Sequence, residues 1–512
     1  MGAKTLGRVL RTIGLVTVLA FGAAAPAVPS AAQESSEAEA PRVFTAAKRA
    51  VINDKRLAYT VTAGETFLKD EKGEPKAAIF SIAYTLDGVS NPKERPLTFV
   101  FNGGPGSASL WLHMGVFGPR RIDVPPGPDG VGSPPYNMVD NPFSILDVTD
   151  LVFIDPVGTG FSRTLNDTKA EDYWTLESDA ASIAEFIRIY ITGNGRWNSP
   201  RYIAGESYGT TRAAQLVHEL TRTYNRIDVN GVILISAILD FQHARFRDGN
   251  IMPYLGFLPT YAATAWYHDK VKNKPERLED FVEEARQFAL DDYALALLKG
   301  KRLGKEERAA VRKKLARYSG LSEAYLERTD LKINAFRYMK EVLRGRGQTV
   351  GRFDSRYTGE DLDAAGERFE NDPSAYRVFG AFVTAVHDYL TRELKVDIER
   401  KYEVLSFEVN RAWEWGDAGT QTYVNTAPHL GRAMRENKEF RVFIANGYYD
   451  LATPFHAVET TINHNGIDPE RVTMTYYEAG HMMYIQDKSL KQLVDDVRAF
   501  INESGDRDTA ED

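Results

Sequence analysis

Gly205-Glu206-Ser207-Tyr208-Gly209 lies between the short apolar run 201–204 and the helical pattern 210–223. A short apolar run without strict alternation suits a strand buried on both faces. The segment therefore reads as strand, sharp turn, helix, the context in which G-x-S-x-G lifts a serine hydroxyl above a sheet edge. The flanking glycines let strand and helix approach closely. The helix N-terminus then aims unpaired amides at developing negative charge. A plain surface turn before a helix is the alternative for a lone G-x-S-x-G. Similar short runs occupy 96–101, 151–154, 232–236 and 441–445, with helical spacing at 178–191 and 210–223 between them. Residues 57–65 and 77–86 read as strands around the turn-rich stretch 69–75. Alternating strands and helices predict an α/β fold on a largely parallel sheet.

From 243 to about 416 that rhythm stops. Leu278, Phe281, Val282, Ala285, Phe288 and Ala289 repeat at helical spacing, 307–318 is a charged helix, and 373–394 reads as one helix capped by Asp372. This block predicts a mainly helical cap inserted into the sheet domain, whose parts are 45–242 and 417–502. Residues 503–512 form a polar tail.

The N-terminus differs in kind. Lys4, Arg8 and Arg11 precede an apolar run at 13–25 and small residues up to Ala32. That is a signal-peptide pattern with cleavage expected after Ala32; an uncleaved anchor is the alternative. Residues 33–44 then form a polar, acidic, disordered leader. The expectation is an exported bacterial protein, periplasmic or secreted and free of the membrane. Losing 1–32 removes three positive charges and takes the formal charge of the 512-residue chain from −8 to −11. An acidic balance without a basic stripe argues against nucleic acid as a partner. There is no cysteine, which removes disulfides, thiolate nucleophiles, lipoprotein anchoring and Cys-ligated metals. Nothing in the pattern calls for a metal or cofactor, and oligomeric state is not legible.

A serine nucleophile needs a base, and the base needs an orienting acid. His481 stands in Glu478-Ala479-Gly480-His481-Met482 after a strand-like run at 471–477. Asp450 ends Asn446-Gly447-Tyr448-Tyr449-Asp450 directly after the run 441–445. Order and strand ends single out this pair over His456 and His464, which fall inside a crossover. A turn-capping Asp and a satisfied loop His are the plainer alternatives. Asn102-Gly103-Gly104-Pro105-Gly106 also ends a strand, and two glycines there free backbone N–H groups to face a cavity, where an oxyanion hole is needed.

These segments resemble the serine carboxypeptidase family of α/β-hydrolases. FNGGPGSAS (101–109) is similar to the family's W-N-G-G-P-G-C-S-S. FIDPVGTGFS (153–162) resembles F-x-D-x-P-x-G-x-G-F-S, one residue shorter. GESYG, NGYYD and EAGHM complete the order. The resemblance implies an α/β-hydrolase fold with Ser207 as nucleophile, His481 as base and Asp450 as its orienter. It also implies an oxyanion hole from the amides of Gly104 and Tyr208. Asn102, Gly103 and Glu206 would bind the substrate's C-terminal carboxylate. Two carboxylates repel unless they share a proton, so Glu206 would have to be protonated, favouring activity at acidic pH. Departures are Phe101 for Trp, Ser107 and Ala108 for Cys and Ser, Val116 where many members carry a second acid, and Thr453 where many carry Cys. The Val116 departure bears on carboxylate recognition rather than on the triad.

The expected function is a serine-type carboxypeptidase acting on peptides or proteins through an acyl-enzyme. The alternative is another secreted serine hydrolase on the same fold: an esterase, acyltransferase or aminopeptidase. A non-catalytic binding protein would have no need of the intact Ser207, Asp450 and His481 set. Trp111, Trp266 and Tyr448 are candidate pocket residues, with core packing the plainer role for each.

Overall fold

The computed structural model describes residues 40–125, 127–416 and 423–503. The expected signal segment, most of the leader, and the tail beyond Glu503 lie outside the described residues.

Three long strands, β1 (Val43–Ile52), β2 (Lys55–Lys69) and β3 (Pro75–Leu86), form an antiparallel meander. Asn53 and Asp54 join the first two with φ of 48° and 61°, the left-handed pair that a tight hairpin demands. Strand β1 is a departure from the sequence reading: it begins at Val43, inside the stretch expected to be a disordered leader. Its inward side chains are modest and only Ala50 and Ile52 are buried, so its order comes from full-length pairing with β2 rather than from its own hydrophobicity.

The remaining main strands are β4 (Leu97–Phe101), β5 (Asp150–Asp155), β6 (Arg201–Glu206), β7 (Gly231–Ile235), β8 (Arg441–Gly447) and β9 (Val472–Tyr477). The spatial order is β1-β2-β3-β5-β4-β6-β7-β8-β9, antiparallel up to the β3–β5 pair and parallel from β5 onward. Alternate residues of the central strands feed two separate cores. Ile233 and Ile235 pack on one face with helix Asp487–Asn502. Val232 and Leu234 pack on the other with α1 (Leu176–Gly193) and α2 (Tyr208–Thr221). Burial on both faces is why these strands read as unbroken apolar runs. The fold is an α/β-hydrolase fold with a mostly parallel sheet.

Between β7 and β8 lie α3 (Met252–Tyr267), α4 (Leu278–Phe288), α5 (Lys305–Ser319) and α6 (Ala335–Glu341), which share a third hydrophobic core. The single helix expected at 373–394 is three pieces: Pro373–Tyr376, Phe379–Asp388 and a π turn at Tyr389–Glu393. Asp372 does cap the first, its Oδ1 accepting from the Ser374 amide at 2.9 Å. The break at Arg377 and Val378 is set by tertiary contacts. The Arg377 carbonyl accepts from the Val131 amide, and its guanidinium donates to the carbonyls of Asp129 and Thr358.

Candidate active site

Strand β6 ends at Glu206 and α2 starts at Tyr208, so Ser207 alone makes the turn. Its φ of 60° and ψ of −130° are a conformation that non-glycine residues adopt at a cost of about 1–3 kcal/mol. Several bonds hold it there. The Ser207 amide donates to the Ile235 carbonyl of β7 at 3.0 Å, while the Thr210 amide and hydroxyl donate to the Ser207 carbonyl at 2.9 and 2.7 Å. A Cβ at Gly205 would overlap the Gly209 carbonyl, and one at Gly209 would sit 2.9 Å from the Asn102 carbonyl. Gly205 is thus required by strand–helix contact, and Gly209 by contact with the end of β4 and the loop after it.

The loop after β4 lies on this elbow. A Cβ on Gly103 would come within 2.6 Å of the Tyr208 nitrogen. Gly104 has φ 105°, and neither its amide nor that of Tyr208 donates to another described backbone group. Beneath them Arg212 of α2 donates to the Asn102 carbonyl at 2.5 Å and to Asp179 Oδ2 of α1 at 2.6 Å. This buried guanidinium also lies against the rings of Phe101 and Tyr208. Asp155, from the second family-like motif, ends β5 and accepts from the amide and hydroxyl of Ser109, both at 2.9 Å. It ties down the far end of the same loop, and burial pushes its carboxyl up to about 6.

Asp450 and His481 follow neighbouring parallel strands, so their loops meet. The Tyr448 and Tyr449 amides donate to the carbonyls of Tyr477 and Ala479, both at 3.0 Å. His481 Nδ1 is 2.7 Å from Asp450 Oδ2. The same carboxylate accepts from the amides of Ala452 and Thr453 at 2.7 and 3.0 Å and from the Thr453 hydroxyl at 2.6 Å. Thr453 therefore holds the acid in place, a role its position in the sequence did not announce. Burial alone would lower the His481 pKa. The Asp450 charge and hydrogen bond, with Glu206 beyond, outweigh it and hold the imidazole above its usual value.

A segment of the insertion braces both loops. The Leu451 amide donates to the Arg352 carbonyl at 3.0 Å, the His481 amide to the Phe353 carbonyl at 2.6 Å, and the Ser355 amide to the Tyr449 carbonyl at 3.0 Å. A Cβ at Gly480 would overlap Phe353 and Asp354. The rival histidines serve elsewhere: His456 Nδ1 contacts Glu459 at 2.6 Å and His464 Nδ1 contacts the Thr460 carbonyl at 2.8 Å.

Asn102 and Glu206 are brought together, but inside the protein. The Asn102 side-chain amide donates to Glu206 Oε2, and its oxygen accepts from the Leu112 amide at 3.1 Å. Tyr484 donates to Glu206 Oε1 at 2.8 Å. Tyr484, three residues beyond the histidine, was missed in the sequence; its ring occupies the space over Gly115, beside the buried Val116. Burial raises the Glu206 pKa to about 7, against the lowering effects of His481 and the two hydrogen bonds.

A cavity of about 460 Å³ opens above the elbow, lined by Gly104, Ser207 and Tyr208 among others. The side chains of Asn102, Glu206, Asp450 and His481 lie outside its lining, as do Trp266 and Tyr448, which pack in the core, and Trp111, which is largely buried but lines a second cavity of about 310 Å³ with Phe379 and Tyr402. Among the described residues no group of three His, Asp or Glu is placed to hold a metal ion, and no helix is long and apolar enough to cross a membrane.

The profile of the serine carboxypeptidase family matches residues 83–494. Among curated relatives, serine carboxypeptidase-like 13 of Arabidopsis thaliana is 28% identical over 159 residues, covering 31% of this chain and 36% of the relative. Serine carboxypeptidase-like 5 of the same plant is 32% identical over 143 residues, covering 27% and 31%. The matched stretch thus spans about a third of the length of these relatives. A solved structure, a prohormone-processing carboxypeptidase from Saccharomyces cerevisiae, superposes with a TM-score of 0.54 at 15% identity, covering 88% of this chain and 92% of that one. At that identity the likeness speaks for the fold. With the family profile spanning most of the sequence, the chain belongs to the serine carboxypeptidase family.

Proposed function

We propose that the protein is a serine-type carboxypeptidase that releases C-terminal residues from peptides through an acyl-enzyme. The observation that carries this reading is the Asp450–His481 bond of 2.7 Å in loops beside the Ser207 elbow. With Nδ1 committed to Asp450, Nε2 of His481 is the atom left to act as base. Ser207 Oγ attacks the scissile carbonyl and passes its proton to Nε2. The amides of Gly104 and Tyr208 hold the oxyanion, and His481 returns the proton to the leaving amine. Water then repeats the cycle on the acyl-enzyme. Asn102, Gly103 and Glu206 would read the terminal carboxylate. A Glu206 carboxyl raised to about 7 is protonated at acidic pH, can donate to that carboxylate, and would repel it once ionised.

One blocked peptide, as free acid and as C-terminal amide, tests the reading with the wild-type protein and Ser207→Ala between pH 4 and 8. Loss of the last residue from the acid alone, strongest at low pH and absent from the variant, supports it. Cleavage of both forms, or of a simple ester only, moves the function to another secreted serine hydrolase or acyltransferase. That second reading has its own support: Asn102 and Glu206 satisfy one another and Tyr484 outside the cavity lining. Failure of Ser207 to react with a fluorophosphonate sinks both readings. Export from a bacterial cell belongs to the same proposal, and a mature N-terminus at Gln33 is its check.

A further inference from the structure

The cavity above Ser207 has a charge pattern opposite to that of the whole chain. Among the described residues no acidic side chain lines it, while two arginines do, Arg245 and Arg352. The chain as a whole is acidic. Arg352 comes from the insertion segment that braces the Asp450 and His481 loops. Its backbone is fixed at both ends, the amide donating to Asp372 Oδ1 at 3.1 Å and the carbonyl accepting from Leu451 at 3.0 Å. Arg245 comes from the turn after β7 and is exposed at the rim.

Neither guanidinium has a hydrogen-bonded or ion-paired acid among the described residues. The contacts they do make are with aromatic faces: Arg352 over Phe353 at 5.2 Å, and Arg245 over Phe241 at 5.4 Å and Trp415 at 5.7 Å. Stacking covers the flat face of a guanidinium and leaves its N–H edge free, the edge that pairs with carboxylates in bidentate fashion. The nearby acids are already engaged. Asp450 accepts from His481, Ala452 and Thr453, and Asp372 from the Arg352 and Ser374 amides and the Ser374 hydroxyl. The other lining is largely apolar, with Phe246, Phe257, Phe336 and Met339. Two cations at an apolar wall strengthen the local field for an anion.

We infer that Arg245 and Arg352 are specificity-determining residues that hold a carboxylate of the substrate in the cavity beside Ser207. The inference rests on the hydrolase reading of this site and deepens it by naming the substrate class: peptides carrying an acidic side chain next to the cleaved bond. That carboxylate is the side chain of an Asp or Glu at one of the two residues flanking the cleaved bond, distinct from the chain terminus that the proposed function gives to Asn102, Gly103 and Glu206.

The test is binding to the full chain carrying Ser207→Ala, which needs no turnover. Blocked tripeptides are compared by calorimetry in two matched pairs, Glu against Gln at the penultimate position and Glu against Gln at the last position, with free acid against amide at the terminus as a control that the arginine changes should leave unaltered. The expectation is that at least one carboxylate member binds tenfold or more tightly than its neutral partner. Adding Arg352→Gln or Arg245→Gln should cut that preference at least fivefold, and Arg352→Lys should restore part of it. The pair that responds identifies the source of the carboxylate. Neither guanidinium hydrogen-bonds another described side chain, so the fold should tolerate these changes, and circular dichroism checks that it does. In the active enzyme Arg245→Gln, which removes a charge at the rim, should act on KM for the carboxylate peptide more than on kcat. Preferences that are absent, or that are unchanged in both glutamine variants, overturn the assignment. Because binding is read on Ser207→Ala, a wild-type protein that cleaves nothing counts against the hydrolase reading alone.

Discussion

Replacing Glu206 by Gln tests the proposed acidic preference at its source. The glutamate is buried, and its pKa is raised from an ordinary 4.5 to about 7 because burial disfavours the charge more than His481, Tyr484 and Asn102 favour it. Each tenfold change in proton affinity is worth 1.36 kcal/mol, so a rise of about 2.5 corresponds to roughly 3 kcal/mol. The folded state holds this proton more tightly than the unfolded chain. Stability from this group is therefore fully present below about pH 4.5, falls as pH climbs, and is lost above about pH 7. Gln cannot ionise, and it fits the same partners: its oxygen accepts from Asn102 and its amide donates to the Tyr484 oxygen. Wild type and variant should thus be nearly equal in stability at pH 4.5, with Gln ahead by roughly 3 kcal/mol at pH 8. For a fold of this size the entropy of unfolding is about 1 kcal/mol per kelvin, so the difference in Tm should grow from near zero to about 3 °C across that range. Scanning calorimetry at half-unit steps reads it. In the same variant the alkaline decline of kcat/KM for a free-acid peptide should flatten. Glu206 and His481 feel one another, so the apparent value in the wild-type profile belongs to the pair. A Tm difference that stays constant from pH 4.5 to 8 would refute the reasoning, since it would mean that folding does not raise the proton affinity of Glu206.

Three further outcomes follow from the geometry. Thr453→Val removes the 2.6 Å bond to Asp450, a charge-assisted bond worth about 1.5–3 kcal/mol; kcat should fall roughly tenfold to a hundredfold with KM little changed, and an unaltered kcat contradicts the positioning role. Gly480→Ala forces a Cβ into Phe353 and Asp354, so Tm should fall by about 1–3 °C, consistent with overpacking costs of about 1–3 kcal/mol, and peptide turnover should drop; a variant equal to wild type in both would show that the brace is soft. Asp179→Asn leaves Arg212 buried without its counter-charge and should cost about 3–5 kcal/mol, read as a lower Tm, while adding Arg212→Met should recover most of it.

The legible part of this protein was what near neighbours in the chain decide. The turn at Ser207 is legible because Gly205 packs on Gly209 within one strand and one helix, although Gly209 itself is required by the distant Asn102. The order of the Asn102 loop, the Ser207 turn and the Asp450 and His481 loops followed from where the apolar runs end. The misreadings have the opposite cause. Strand β1 is held by its partner rather than by its own side chains, so Val43 and Phe44 passed for leader. The segment 373–394 has helical spacing throughout, yet contacts to Arg377 from residues 129, 131 and 358 break it.

The sequence by itself determined the α/β rhythm, the elbow and the family-like motifs, because steric rules and periodicity act over a few residues. Only the tertiary structure decided that Tyr484 and Asn102 enclose Glu206, that Thr453 holds Asp450, and that an inserted segment braces the acid and base loops while presenting Arg352 to the cavity. Those arrangements depend on parallel strands bringing distant loops side by side. Proton affinity at Glu206 depends on burial, which belongs to the packed whole and not to any stretch of chain.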